Sequence, residues 1–179
     1  MTSTKLRALD AGIELLGTEG LRALTHGRID ERAAIPKGST SNYFRTRAAL
    51  LTGVAERIAN RELGGVSAAV EPASPDEFVD ALAGLIEFNT GPQRIVTAAR
   101  LVLFLEANHN EEVRAIINVG RGAMEASVVL TFARFGAKDP HAAATALMAC
   151  CEGIILHRIA RHDTTDPRPA LALAVRAAL

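Results

Sequence analysis

Between Lys37 and Tyr43 the chain reads Lys-Gly-Ser-Thr-Ser-Asn-Tyr, a run that carries a cation, hydroxyls, an amide and a phenol but no aliphatic core residue. A helix built from it has too little apolar area to be buried, so its outer face must meet something polar. Lys37 and Tyr43 suit phosphates, one by charge and the other by a rigid hydroxyl. Ser39, Thr40, Ser41 and Asn42 are the candidates for base edges: an asparagine pairs an adenine bidentately, and a threonine methyl meets that of thymine. Gly38 lets the backbone come near a sugar-phosphate chain. Thr25 offers a hydroxyl and an amide to a further phosphate, and Arg28 can reach either target. Together these groups are suited to recognising double-stranded DNA.

Other reactive residues are less suggestive. Cys150 and Cys151 lie in the run Leu-Met-Ala-Cys-Cys with nothing nearby to lower a thiol pKa, so they read as small hydrophobes. His26, His109, His141, His157 and His162 have no metal-ligand spacing, and neither a metal nor a cofactor is expected. No nucleophile and base converge, so an enzyme is not expected. Polar groups within apolar helices are candidates for a ligand cavity: Arg100, Glu106, Asn108 and Glu125, with Phe88, Phe104, Met124, Phe132 and Met148 as its apolar lining.

The polar run needs elements that hold it. Thr25 is a good N-cap for a short helix whose buried edge is Ile29 and Ala33. Pro36 pushes Ile35 out of helical geometry and suits a helix start, which places the second helix from about Lys37. That helix is about two turns long and marginal alone, so it must dock through Ile35, Phe44 and the helix that follows. Two short helices joined by a tight turn, the second of them polar, fit a helix-turn-helix.

Leu9-Asp10-Ala11, Glu14-Leu15-Leu16, Gly20, the stretch from Thr25 to Phe44 with its Lys37-Gly38-Ser39 and Asn42-Tyr43-Phe44, and then Ala49-Leu50-Leu51 together resemble the DNA-binding domain of the TetR family of bacterial transcriptional repressors. The ordered match covers roughly the first third of the chain, and the remainder is similar in length and helical character. The resemblance implies an all-α fold of about nine helices. An N-terminal helix-turn-helix domain, residues 1–46, would precede a helical bundle for ligand binding and dimerisation, residues 47–179. Three residues depart from the family's pattern. Asp30 stands where a small residue is usual and must turn outward or find a partner. Ala34 replaces a turn glycine and, if left-handed, carries a methyl that costs roughly 1 kcal/mol. Pro36 replaces a capping hydroxyl, which leaves the helix-start amides to water or a phosphate.

The formal net charge is zero, which alone argues against a nucleic-acid binder. Residues 1–65, however, hold ten Lys/Arg against seven Asp/Glu, and between Arg22 and Arg47 there are six basic residues and two acidic. The excess is concentrated at the motif. The absence of Trp, the single Tyr and the abundance of Ala and Leu favour helices over strands. No signal peptide and no membrane span are expected, and a reducing cytoplasm suits the adjacent cysteines.

Along the chain, helices are expected over 3–19, stopped by Gly20, and from Arg47 to Leu63, capped by Thr46 and closed by Gly64-Gly65. A linker over Val66 to Ser74 leads to a helix opened by Ser74-Pro75-Asp76-Glu77 and broken by Gly91-Pro92. The next, from Gln93 to Ala107, is densely apolar and expected to be buried on most sides. Long helices follow from Glu111 to Phe135 and from Asp139-Pro140 to about Arg161, and Asp166-Pro167 caps the last. Ala142, Ala146, Ala149 and Gly153 share one face, where a second backbone can approach, and the family's four-helix dimer interface makes this the candidate contact. The expected protein is a homodimeric repressor that binds a palindromic DNA operator and is released by a small-molecule effector. A helical interaction module that binds protein and no DNA is the alternative.

Overall fold

The computed structural model describes residues 3–67 and 71–179, with the side chains of 63–67 left aside. Among the described residues it is all helical: α1 (Thr4–Glu19), a 3-10 turn (Leu21–Ala23), α2 (His26–Arg32), α3 (Ser39–Tyr43), α4 (Arg47–Ser67), α5 (Pro75–Thr90), α6 (Arg94–Glu106), α7 (Glu111–Arg134), α8 (Pro140–Ala160) and α9 (Arg168–Arg176). These group into two compact units. One takes in the chain up to Gly64 together with Ile95–Gly120, the other Gly65–Arg94 together with Arg121–Leu179.

The helix ends follow local chemistry. Ser3, Thr46, Ser74, Asn110 and Asp139 each accept a hydrogen bond from the amide three residues on, which satisfies a donor that the helix itself leaves unpaired. Asp166 accepts from the Arg168 amide at the start of α9. One expected boundary is corrected: α4 does not close at Gly64-Gly65 but runs to Ser67. Glycine inside a helix costs about 1 kcal/mol against alanine and does not by itself break it. The expected linker, Val66 to Ser74, falls partly on residues 68–70, outside the described residues.

In the first unit, Leu9, Leu16, Leu24, Ile29, Leu50, Val54, Leu103 and Val113 form one core. Its helices approach closely at glycines: a Cβ on Gly17 would lie 2.1 Å from the Ile95 carbonyl oxygen, and one on Gly53 2.6 Å from the Phe44 ring. The Asp10 carboxylate ties α1 to α4, accepting from Arg57 Nε at 3.0 Å and Arg61 Nη2 at 2.7 Å. The expectation that α6 is buried on most sides is corrected. Thr97, Ala99 and Leu103 are buried on it, whereas Ile95 and Leu105 are exposed. An apolar composition says that a helix wants cover; it does not say how many faces receive it.

In the second unit, Phe78, Phe132, Leu147, Leu171 and Val175 make the core, with the Phe78 ring edge-on to both Phe132 and Phe135. Arg168 reaches Asp80 and Glu87, and Arg176 reaches Asp76, so α9 is clasped to α5. Helices α7 and α8 are long and apolar enough to span a membrane by length and composition alone, with mean hydropathy 1.2 and 1.4 over 18 residues. The core helices of a soluble bundle meet the same description. Charged residues on the two helices also pair with each other, Arg121 with Glu152.

Candidate nucleic-acid interface

The polar run is held by a clamp built from its neighbours. Helix α2 ends in a left-handed turn: Ala34 has φ +49°, the Ile35 amide donates to the Asp30 carbonyl at 3.0 Å, and the Ala34 amide to the Glu31 carbonyl at 3.1 Å. That is the paired capping pattern usually completed by glycine, and here a methyl bears the strain. Arg7, on α1, offsets it by donating to the Ala33 and Ala34 carbonyls.

Helix α3 starts later than the sequence indicates, at Ser39, with Gly38 left-handed at φ +90° before it, so Lys37 lies in the turn. Pro36 therefore does not open the helix, and the expectation that the helix-start amides are left to water or phosphate is corrected. The Asp30 carboxylate takes them, accepting from the Gly38 amide at 2.7 Å, the Thr40 amide at 2.9 Å and the Thr40 hydroxyl at 2.5 Å. Asp30 is 4% exposed. Burial by itself would raise its pKa; the hydrogen bonds from Thr40 and Gly38, with His26 nearby, outweigh it and hold the carboxyl below its ordinary range. A carboxyl held low contributes its full stabilisation above the unfolded value, near 4, and loses it only as pH falls through the lower folded value. At the other end of α3, His26 Nε2 lies 2.7 Å from the Phe44 carbonyl, so that nitrogen carries the donated proton. The Phe44 ring packs against the backbone of α4 at Gly53, with Lys5 above its face.

Within this frame the candidate contacts separate. Lys37, Ser41, Asn42 and Tyr43 are exposed, Tyr43 to 49%, and Gly38 and Ser39 are half-buried. The Ser41 hydroxyl donates to the Gly38 carbonyl. Thr40 is corrected: it is fully buried and bonded to Asp30, so it cannot touch a base edge while the clamp is closed. On a helix of this size one face in three or four must point inward, and Thr40 occupies it. Thr25 sits at the N-cap of α2 in extended geometry, exposed, with no side-chain capping bond. Arg28 is exposed but paired with Glu19, which Arg32 also contacts, and Arg28 chiefly holds the Glu19 carboxyl below its usual range. The clamping roles of Asp30, Arg7 and His26 arise from contacts between elements that lie apart in the sequence. Of the three, only the carboxylate at position 30 carries a signal in the sequence.

The ligand candidates are divided between the two units. Arg100, Phe104, Glu106 and Asn108 belong to the first unit, and Phe88, Met124, Phe132 and Met148 to the second. Arg100 pairs with Glu62 at 3.3 Å and stacks over Phe104, while burial pushes the Glu62 carboxyl up against the pull of Arg100. Phe132 is corrected: at 0% exposure it is core, as Met148 nearly is. Phe88 and Asn108 are exposed, and Glu106 and Met124 half-buried. The second unit has a shallow depression of about 410 Å³ lined by Gly122, Glu125, Ala126, Val129, Leu130 and His141, which includes Glu125 but none of the other candidates. Cys150 and Cys151 are half-buried, and burial pushes the Cys151 thiol up to about 12, as befits inert side chains. On α8, Ala142, Ala146 and Ala149 are exposed and Gly153 half-buried.

Residues 73–179 match the family described as "Tetracyclin repressor-like, C-terminal domain". The whole chain is similar in fold to a transcriptional regulator from Rhodococcus sp. Rha1, with a TM-score of 0.87 at 15% identity over 99% of this chain and 96% of that one. A TetR-family member from Streptomyces coelicolor A3 gives 0.78 at 22% identity, over 99% of each chain. The multidrug binding protein EbrR complexed with ethidium gives 0.74 at 23% identity, over 96% of this chain and 98% of that one. At such identities the likeness is one of fold. A comparison with curated proteins gives no significant match.

Proposed function

The chain belongs to the TetR family of transcriptional regulators, and from that membership we propose that it is a one-component, cytoplasmic repressor that binds a palindromic operator as a homodimer and lets go when a small molecule enters its C-terminal part. The division of labour follows the sequence: residues 1–46 read DNA, and residues 47–179 take the effector and pair the subunits. Each α3 enters a major groove, in half-sites spaced by about 34 Å or a multiple of it. Lys37, Tyr43 and Thr25 contact phosphates, Gly38 allows close approach, and Ser39, Ser41 and Asn42 face the bases.

One observation carries this reading. A helix too short to be stable alone, α3 is fixed at its start by the buried Asp30 and at its end by the half-buried His26, while Ser41, Asn42 and Tyr43 stay exposed. That arrangement serves no core. The small face of α8, Ala142, Ala146, Ala149 and Gly153, continues to the exposed Leu156 and supports pairing with a second copy. The fold shared with a protein seen with ethidium bound supports an effector of small-molecule size. Such an effector acts only through unequal affinity for the DNA-competent and released states.

Selection from a random duplex library, followed by mobility shifts at several salt concentrations, tests the proposal. Lys37→Ala and Tyr43→Phe are expected to weaken binding to all duplexes alike, and the lysine change to reduce the salt slope by about one. Asn42→Ala is expected to relax preference at one base pair, by about 1–3 kcal/mol of discrimination. Unchanged binding in all three variants rules the docking out. A partner that is protein would instead give an association that barely responds to salt.

Arg28 adds a separate expectation. To meet a phosphate it must leave Glu19, which competes as an internal anion. Glu19→Gln is therefore expected to tighten binding to random duplex and to steepen its salt dependence by up to about one phosphate equivalent. Titration of both proteins against one non-specific duplex measures this, and identical slopes would show that Arg28 stays off the DNA.

A further inference from the structure

We infer that Asp30 is a positioning residue for DNA reading: from helix α2 it grips the Gly38 and Thr40 amides where α3 begins and so sets the orientation in which the exposed side chains of α3 are presented. The inference rests on the proposed reading of DNA by α3 and assigns one further residue to that site.

The geometry is specific. Both carboxylate oxygens are used, Oδ2 by the Gly38 amide and Oδ1 by the Thr40 amide and hydroxyl, and the group is almost wholly buried. Amides in the first turn of a helix have no partner within it, and a side chain that serves them ordinarily comes from the residue just before. Here it comes from eight and ten residues earlier, on the other helix of the motif. The same three bonds that start α3 therefore also join it to α2, and the angle between the two helices cannot change without breaking them. A short helix contributes little of its own to resist such a change. With the Gly38 and Thr40 amides on Asp30 and the Ser39 amide on the Pro36 carbonyl, these three are closed to a phosphate, and α3 engages DNA through the exposed Ser41, Asn42 and Tyr43.

Positioning and charge pull in opposite directions, which makes the role testable. Taking a negative charge out of a DNA-facing domain favours binding to any duplex, whereas a loosened α3 loses its preferred one. Wild-type protein selects a duplex from a random library, and Asp30→Asn is then compared on that duplex and on random sequence. The expected result is a specificity ratio lower by roughly tenfold or more, the size of a hydrogen bond to a charged group. Affinity for random duplex is expected to be unchanged or higher, with the helical circular dichroism retained. A ratio equal to that of the wild type, or a parallel fall on both duplexes, overturns the inference. Should Asp30→Asn unfold the domain, Thr40→Val carries the test: it keeps the volume, removes only the hydroxyl bond and is expected to lower the ratio about threefold; an unchanged ratio there also overturns it. A wild-type protein that selects no sequence overturns the reading of DNA by α3, and this inference with it.

Discussion

Phe132→Ala is expected to destabilise the protein by about 3–5 kcal/mol, the usual cost of removing a fully buried phenylalanine. The ring is 0% exposed and its centroid lies 5.9 Å from that of Phe78 in an edge-to-face contact, so truncation removes both its buried area and an aromatic pair. Phe78 also faces Phe135 at 6.1 Å, and a hole beside it would loosen a chain of three rings. Urea denaturation of the purified variant measures the loss. The same experiment decides between two roles for position 132. A residue that lines a solvent-filled ligand hollow tolerates truncation, because water or ligand refills the space, whereas a core residue does not. A change under about 1 kcal/mol with the fold intact would return Phe132 to the ligand site.

Gly17→Ala is expected to cost about 2–3 kcal/mol or more, through overpacking. In most helix interiors this change gains stability, about 1 kcal/mol by intrinsic propensity. Here the new methyl would lie 2.1 Å from the Ile95 carbonyl oxygen and 3.0 Å from its carbon, and a backbone carbonyl cannot rotate aside as a side-chain tip can. Helices α1 and α6 must move apart, and α1 also carries Arg7, which holds the turn before α3. Gly84→Ala is the control: its Cβ would meet nothing within 4 Å, so that variant is expected to melt at the wild-type temperature or slightly above it. Thermal melting of the two proteins side by side gives the answer. A Gly17→Ala protein as stable as the control would mean that α1 and α6 are not in backbone contact.

Helix limits were legible wherever the signal is local. Ser74-Pro75-Asp76-Glu77 and Asp139-Pro140 open α5 and α8 where the residues indicate, because an N-cap serves an amide three residues away and needs no other part of the chain. The helix-turn-helix was legible for a related reason: Thr25, Ile29, Ile35, Pro36 and Phe44 constrain one another at short range. Gly64-Gly65 misled because two glycines weaken a helix without ending it. The ligand candidates were not legible, since apolar periodicity reports which side chains seek cover and is silent on whether that cover is core, cavity or a second copy.

The order of elements, the all-helical class and the polar run at 37–43 follow from the residues alone, through spacing, capping and propensity that act within a turn or two of the chain. That Asp30 would close on Thr40 and Gly38, that Glu19 would hold Arg28, and that Phe132 would be core follow only from the fold. Each of these depends on which side chains from distant or opposed segments come within about 3–6 Å, the range of hydrogen bonds and ring contacts, and distance along a chain does not determine distance through space.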